Sequence, residues 1–237
     1  MQVDLLTYTP NPEEIVAAAA KLCYSKSDIA TLLDNMTPEK TEAFIKKLAS
    51  MGHESPFEHI TFTFGIEDVS RSLLAQITRH RIASYSVQSQ RYVHDDFGFV
   101  TPPAIAEDGY LHGVFLEAMF DSMQTYERLA DGLQKRYVEQ GMDAKAAEKK
   151  AIEDARYVLP NATCTKMIVT MNARSLFNFF QHRCCNRSQW EIRELADTML
   201  QLVKNVAPNV FAKAGAPCTY GHCPEGAYSC GHPRKDV

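Results

Sequence analysis

The 237-residue sequence is poor in glycine, with 11 in all, and holds neither a G-x-G-x-x-G nor a G-x-x-x-x-G-K stretch. A nucleotide would therefore have to be held by side chains and helix ends, not by a Rossmann turn or a P-loop. No apolar run approaches the roughly 20 residues of a membrane span. The first residues, MQVDLLTYTPNPEE, are acidic and lack the cationic start and apolar core of a secretion signal. A soluble, cytoplasmic protein with no membrane partner is the expectation. Seven cysteines, an odd number at irregular spacing, make a poor disulfide framework. The H-E-x-x-H spacing of a helical zinc site is missing as well, and no internal repeat or low-complexity segment is found.

What is present begins with charge. Hydrophobic residues at 45% suffice for a core, so the net charge of −4 is the more informative quantity, because it hides an asymmetry. Residues 69–94 contain Arg71, Arg79, Arg81 and Arg91 and no acid. Residues 155–190 contain Arg156, Lys166, Arg174, Arg183 and Arg187 and again no acid. Removing these nine cations from 25 leaves 16 against 29 acids, a balance of −13 elsewhere. Two basic stretches in an acidic chain point to a local anion pocket, since guanidinium forks suit phosphates and carboxylates. Salt bridges to the remaining acids are the blander reading. The absence of lysine clusters argues against a nucleic-acid polymer as partner.

Periodicity gives an α+β class: a small mixed sheet with long helices. Strands are expected over 1–9, 59–69 and 162–171. Helices are expected over 12–24, 27–35, 38–51, 70–79, 111–141, 143–157, 173–183 and 188–206. Asn11 and Thr37 are the expected N-caps of the first and third helices, with Gly52 stopping the third. One domain is expected over 1–213, followed by an irregular tail, 214–237, rich in Cys, Gly and Pro.

Three stretches carry chemistry. Arg79-His80-Arg81 leads through Ser84, Ser86 and Gln88 to Ser89-Gln90-Arg91-Tyr92, and Gln76, Arg79 and His80 share a helix face. Cations in a last turn also stabilise the helix dipole, which accounts for Arg79 or Arg81 but not for the later residues. Gly52-His53-Glu54-Ser55-Pro56-Phe57-Glu58-His59 fits a capping box between Ser55 and Glu58. In 172–183, Arg174, Asn178 and His182 fall on one face, opposite Leu176, Phe179 and Phe180. That polar stripe faces either a ligand or solvent.

Arg79-His80-Arg81 followed after seven residues by Ser89 resembles the signature of the flavin-dependent thymidylate synthases. GHESPFEH at 52–59, NARSLFNFFQHR at 172–183 and SQWEIRELA at 188–196 agree with it, in order, and the similarity spans roughly 1–212. The resemblance implies a methyltransferase that converts dUMP to dTMP. Methylenetetrahydrofolate would be the one-carbon donor and FAD, reduced by NADPH, the hydride donor, with no enzyme nucleophile. It implies a homotetramer with shared sites. On FAD it puts Ser55, Glu58, Arg79, His80, Arg81, Ile82, Asn172, Arg174, Asn178 and His182. On dUMP it puts Gln76, Arg79, Ser89, Gln90, Arg91, Arg156 and Arg183, with Arg183, His53 and Ser89 closest to the chemistry. Val87, where some members carry Glu or Gln, and His182, where others are apolar, depart from the pattern. Two other readings stay open: a flavoprotein that only oxidises NADPH, and a nucleotide- or RNA-binding protein without catalysis. The tail offers Cys218, Cys223, Cys230, His222 and His232 as a further zinc alternative, although its C-x4-C-x6-C spacing is not that of a zinc ribbon and no metal is assigned.

Overall fold

Alternation and caps in the first fifty residues set the first elements of the computed structural model, which describes residues 1–91 and 98–235. Tyr92, Val93 and His94, at the end of the first basic segment, and the last two tail residues lie outside the described residues. Strand β1 (Gln2–Tyr8) precedes α1 (Pro12–Leu22), α2 (Ile29–Asp34) and α3 (Pro38–Met51). Pro12 opens α1, but Asn11 does not cap it as expected: its backbone is left-handed, at φ 47°, and its side chain makes no cap hydrogen bond. Helix α2 starts later than expected because Asp28 caps it, accepting from the Thr31 N–H at 2.9 Å. Thr37 caps α3, and Gly52 ends it at φ 68°, where a residue with a Cβ would be strained.

The expected Ser55–Glu58 capping box is not formed. Ser55–His59 is a 3₁₀ turn without a side-chain cap, and Glu58 pairs instead with Arg174. Then come β2 (Thr61–Ser70), α4 (Arg71–Ile77), β3 (Ala83–Val87), α5 (Pro103–Ala106), α6 (Gly109–Glu139) and α7 (Ala144–Ala155). The last elements are β4 (Cys164–Asn172), α8 (Ala173–Arg183) and α9 (Trp190–Val206). Among the described residues the strands form one small antiparallel sheet, ordered β1-β2-β4-β3, so the class is α+β as expected.

The chain forms two compact units: Met1–Ile66 with Gln76–Ser86 and Ile168–Val237, and Glu67–Ala75 with Val87–Met167. In the first, alternation along β2 buries Phe62, Phe64 and Ile66, while α8 buries Leu176, Phe179 and Phe180. Phe211 meets Phe62, Phe177 and Phe180 edge-on. Helix α9 adds Ile192, Leu195, Met199, Leu200 and Val203 to this core. In the second unit α6 and α7 pack around Tyr126, Ala130 and Ala155.

The tail belongs to the first unit and is tied to α8 and α9. Arg234 Nη1 donates to both Asp197 oxygens, at 2.7 and 2.8 Å, and to the Cys184 carbonyl at 2.7 Å. Arg187 Nη1 donates to the Tyr228 carbonyl at 2.6 Å. No helix among the described residues is long and apolar enough to cross a membrane.

Candidate active site

Two hollows in the first unit collect most of the polar residues singled out by sequence. Both are built on α8. Asn172 caps this helix by accepting from Ser175 N–H at 2.8 Å, which satisfies one of the backbone donors of its first turn. The apolar face of α8 is fully buried, so its polar stripe is fixed in direction.

The first hollow is a groove of about 350 Å³ over the start of α8, lined by Arg81, Ile82, Asn172, Arg174 and Asn178 with Glu54 and Glu58. Arg174 is held by Glu58 and, at 3.4 Å, by Glu54. Its hydrogen bond to Glu58 raises its basicity, so it remains a fixed cation. Two arginines, three carboxamides and a helix N-terminus meet in this groove and can take a phosphate-bearing cofactor, with Glu54 and Glu58 offsetting the charge of Arg174. Ser55 opens the 3₁₀ turn that carries Glu58.

The second hollow is a cleft of about 520 Å³ at the other end of α8, lined by Gln76, His80, Gln181, His182, Arg183 and Gln189 among others. Arg183 Nε donates to His80 Nε2 at 2.8 Å. An imidazole nitrogen that accepts this bond is unprotonated, so His80 is neutral. Burial first, then Arg183 and His182, lowers its pKa from the usual 6.5 to about 4. Burial and the nearby Arg79 together depress the basicity of Arg183. An anion or an electron-rich carbonyl would relieve that excess positive field. His182 instead hydrogen-bonds through Nδ1 to the Asn178 carbonyl of its own helix, at 2.7 Å.

His53 lies in a third cavity of the same unit, about 600 Å³, whose walls include Leu48, Phe57, Phe177 and Val210. Ser89, Gln90, Arg91 and Arg156 lie in the second unit. Ser89 Oγ accepts from Arg91 N–H at 3.2 Å. Glu153 accepts from Arg91 Nη2 at 2.9 Å through its carboxylate and from Arg156 Nε at 3.1 Å through its carbonyl. Arg71 joins them, its basicity lowered by burial and then by Arg156.

Sequence reading missed two residues. Gln181 lines the groove, the cleft and the His53 cavity alike. Its position one turn beyond Phe177 and Asn178 was the available signal. Glu153 gave no signal, because nothing in the sequence pairs it with arginines 91 and 156. Among the described residues no three His, Cys, Asp or Glu side chains gather as a metal-holding group, and the Cys218, Cys223, Cys230, His222 and His232 set forms none.

Comparison with known proteins bears on this geometry. Residues 4–209 match the family model described as thymidylate synthase complementing protein. The chain is 56% identical to a flavin-dependent thymidylate synthase of Clostridium tetani, over 98% of this chain and 93% of the relative. It is 48% identical to that of Geobacter sulfurreducens, over 98% and 94%. With the same enzyme of Pyrococcus furiosus it shares 37%, over 95% and 90%.

Proposed function

The chain belongs to the thymidylate synthase complementing protein family, and on that premise we propose that it converts dUMP to dTMP with methylenetetrahydrofolate as one-carbon donor and FAD, reduced by NADPH, as hydride donor. The observation that carries this is the cleft in which a neutral His80 presents Arg183, which no carboxylate among the described residues pairs. A uracil ring offers carbonyl oxygens. Guanidinium donors on them favour negative charge in the ring and make C5 a better nucleophile. The resemblance also puts Ser89, Gln90, Arg91, Arg156 and Gln76 on dUMP, with different subunits of the assembly contributing. The resemblance puts His53 near the flavin and the reacting ring, although in this chain it lines the third cavity and not the cleft. None of the cysteines is assigned as nucleophile; burial raises the pKa of the Cys184 thiol well above its usual value, which keeps it protonated.

The groove residues fit FAD. Arg81 and Arg174 offer charge to a pyrophosphate, and Asn172, Asn178 and Ser55 offer polar partners. The bound flavin supplies the hydride that completes the methyl group. The protein binds, orients and excludes water. The enzyme domain is residues 1–213, with 214–237 as its tail, and the assembly is a cytoplasmic homotetramer, in line with the family resemblance.

Tritium release from C5-labelled dUMP tests the function, run with FAD and NADPH and with or without methylenetetrahydrofolate. Folate-dependent release with formation of dTMP is expected. Oxidation of NADPH without release would leave a flavin oxidase in its place.

A further inference from the structure

His80 is fixed from every side, and the pattern of its partners gives it a task. Arg183 donates to its Nε2 at 2.8 Å. The Asn178 side chain acts on the ring in the opposite sense to its burial, favouring its protonated form. Phe179 lies edge-on, with centroids 5.0 Å apart and planes at 89°, and His182 stands 6.4 Å away. The backbone is pinned as well: Tyr85 Oη donates to the His80 carbonyl at 3.0 Å and to that of Ile77 at 2.7 Å. The ring therefore has one available direction.

Arginine carries five donors in a planar fork. With Nε committed to His80, the rotation of the guanidinium is restricted, and neither Nη group has a hydrogen-bond partner among the described residues, so both can serve the cleft. Asn178 lines the groove, whereas His80 and Arg183 line the cleft. The His80–Arg183 hydrogen bond thus lies within the cleft, while Asn178, on the same helix as Arg183, faces the groove.

We propose that His80 is a positioning residue: its imidazole, held against Phe179, aims the Arg183 guanidinium at the pyrimidine, so that dUMP recognition depends on His80 through Arg183. This rests on the reading of the cleft as the pyrimidine site. It also differs from the role the resemblance implies for His80, which is contact with the flavin.

A double-mutant cycle tests it, using dUMP dissociation constants of the full-length chain at saturating FAD. The variants are His80→Phe, Arg183→Ala, the pair together, and His80→Gln. His80→Phe keeps a ring against Phe179 but removes the acceptor, and is expected to weaken dUMP binding about tenfold, the scale of one charged hydrogen bond. In the Arg183→Ala background the same substitution should change binding by less than about twofold, because coupled positions are not additive. His80→Gln, which restores an acceptor, should recover most of the loss. Equal losses in both backgrounds, or no loss at all, would overturn the proposal while leaving the cleft as the pyrimidine site. Failure of the wild-type chain to bind dUMP would overturn both. If His80→Phe does not fold, His80→Asn, whose amide is too short to reach Arg183, takes its place in the cycle.

Discussion

Arg183 and Arg174 sit at opposite ends of one helix, and removing each has a different expected cost. Arg183→Ala should lower dTMP formation by roughly 100-fold or more, the usual loss for a donor aimed at developing charge, while the protein stays yellow with bound FAD. Near-normal turnover would remove Arg183 from its role. Arg174→Ala should act on the cofactor instead, weakening FAD at least about tenfold in a fluorescence titration. It also leaves Glu54 and Glu58 without their cation. His80 makes a prediction about pH. Folded, it resists protonation down to about 4, whereas in the unfolded chain it takes a proton near 6.5. Its share of stability is therefore full above pH 6.5 and is lost as pH falls toward 4. For a half-buried ring that share is about 1–2 kcal/mol after allowance for solvent. Urea unfolding of the FAD-free protein between those pH values should show a shallower slope for His80→Phe than for wild type. Parallel curves would contradict the depressed pKa. Sequence identified His80, Arg174 and Arg183 as polar residues of interest. It could not pair His80 with Arg183, because the contact joins positions 103 apart in the chain.

Helix α3 shows how well local chemistry can be read. Thr37 and Gly52 were legible as its two ends because a cap and a left-handed stop depend on few neighbours. Thr37→Ala should cost about 1 kcal/mol. Gly52→Ala should cost about as much: an added Cβ would meet nothing within 4 Å, so the penalty is one of backbone conformation alone. The two ends share no partner, and the double variant should lose the sum in thermal unfolding. Helix α8 was equally legible, bounded as expected over Ala173–Arg183. The capping box was misread for a physical reason. Glu58 had a better partner in Arg174, 116 residues on, than in the backbone of its own turn. Asn11 fails as a cap because its own φ is positive, a property of the turn that no spacing rule carries.

At the scale of the whole molecule, the tail was read only as irregular, yet its last described turn is tied by Arg234 to Asp197 and to the Cys184 carbonyl. The salt bridge is partly buried, with side chains 19% and 27% exposed. Arg234→Ala should therefore cost about 2 kcal/mol. The same variant should let a maleimide reach Cys184, whose residue is fully buried in the intact chain. Unchanged labelling would show that the tail is not what covers this thiol. The division into two units escaped sequence reading, because segments 67–75 and 87–167 are brought together only by the fold. The start of α9 has a practical consequence of another kind. Trp190, the single tryptophan, follows directly on Gln189, which lines the cleft and caps this helix. The protein thus carries one built-in fluorophore beside the cleft. Excited at wavelengths where the ten tyrosines hardly absorb, its emission reports on that corner alone, and a flavin that accepts its excitation energy would dim it, so cofactor loading can be followed without any added dye.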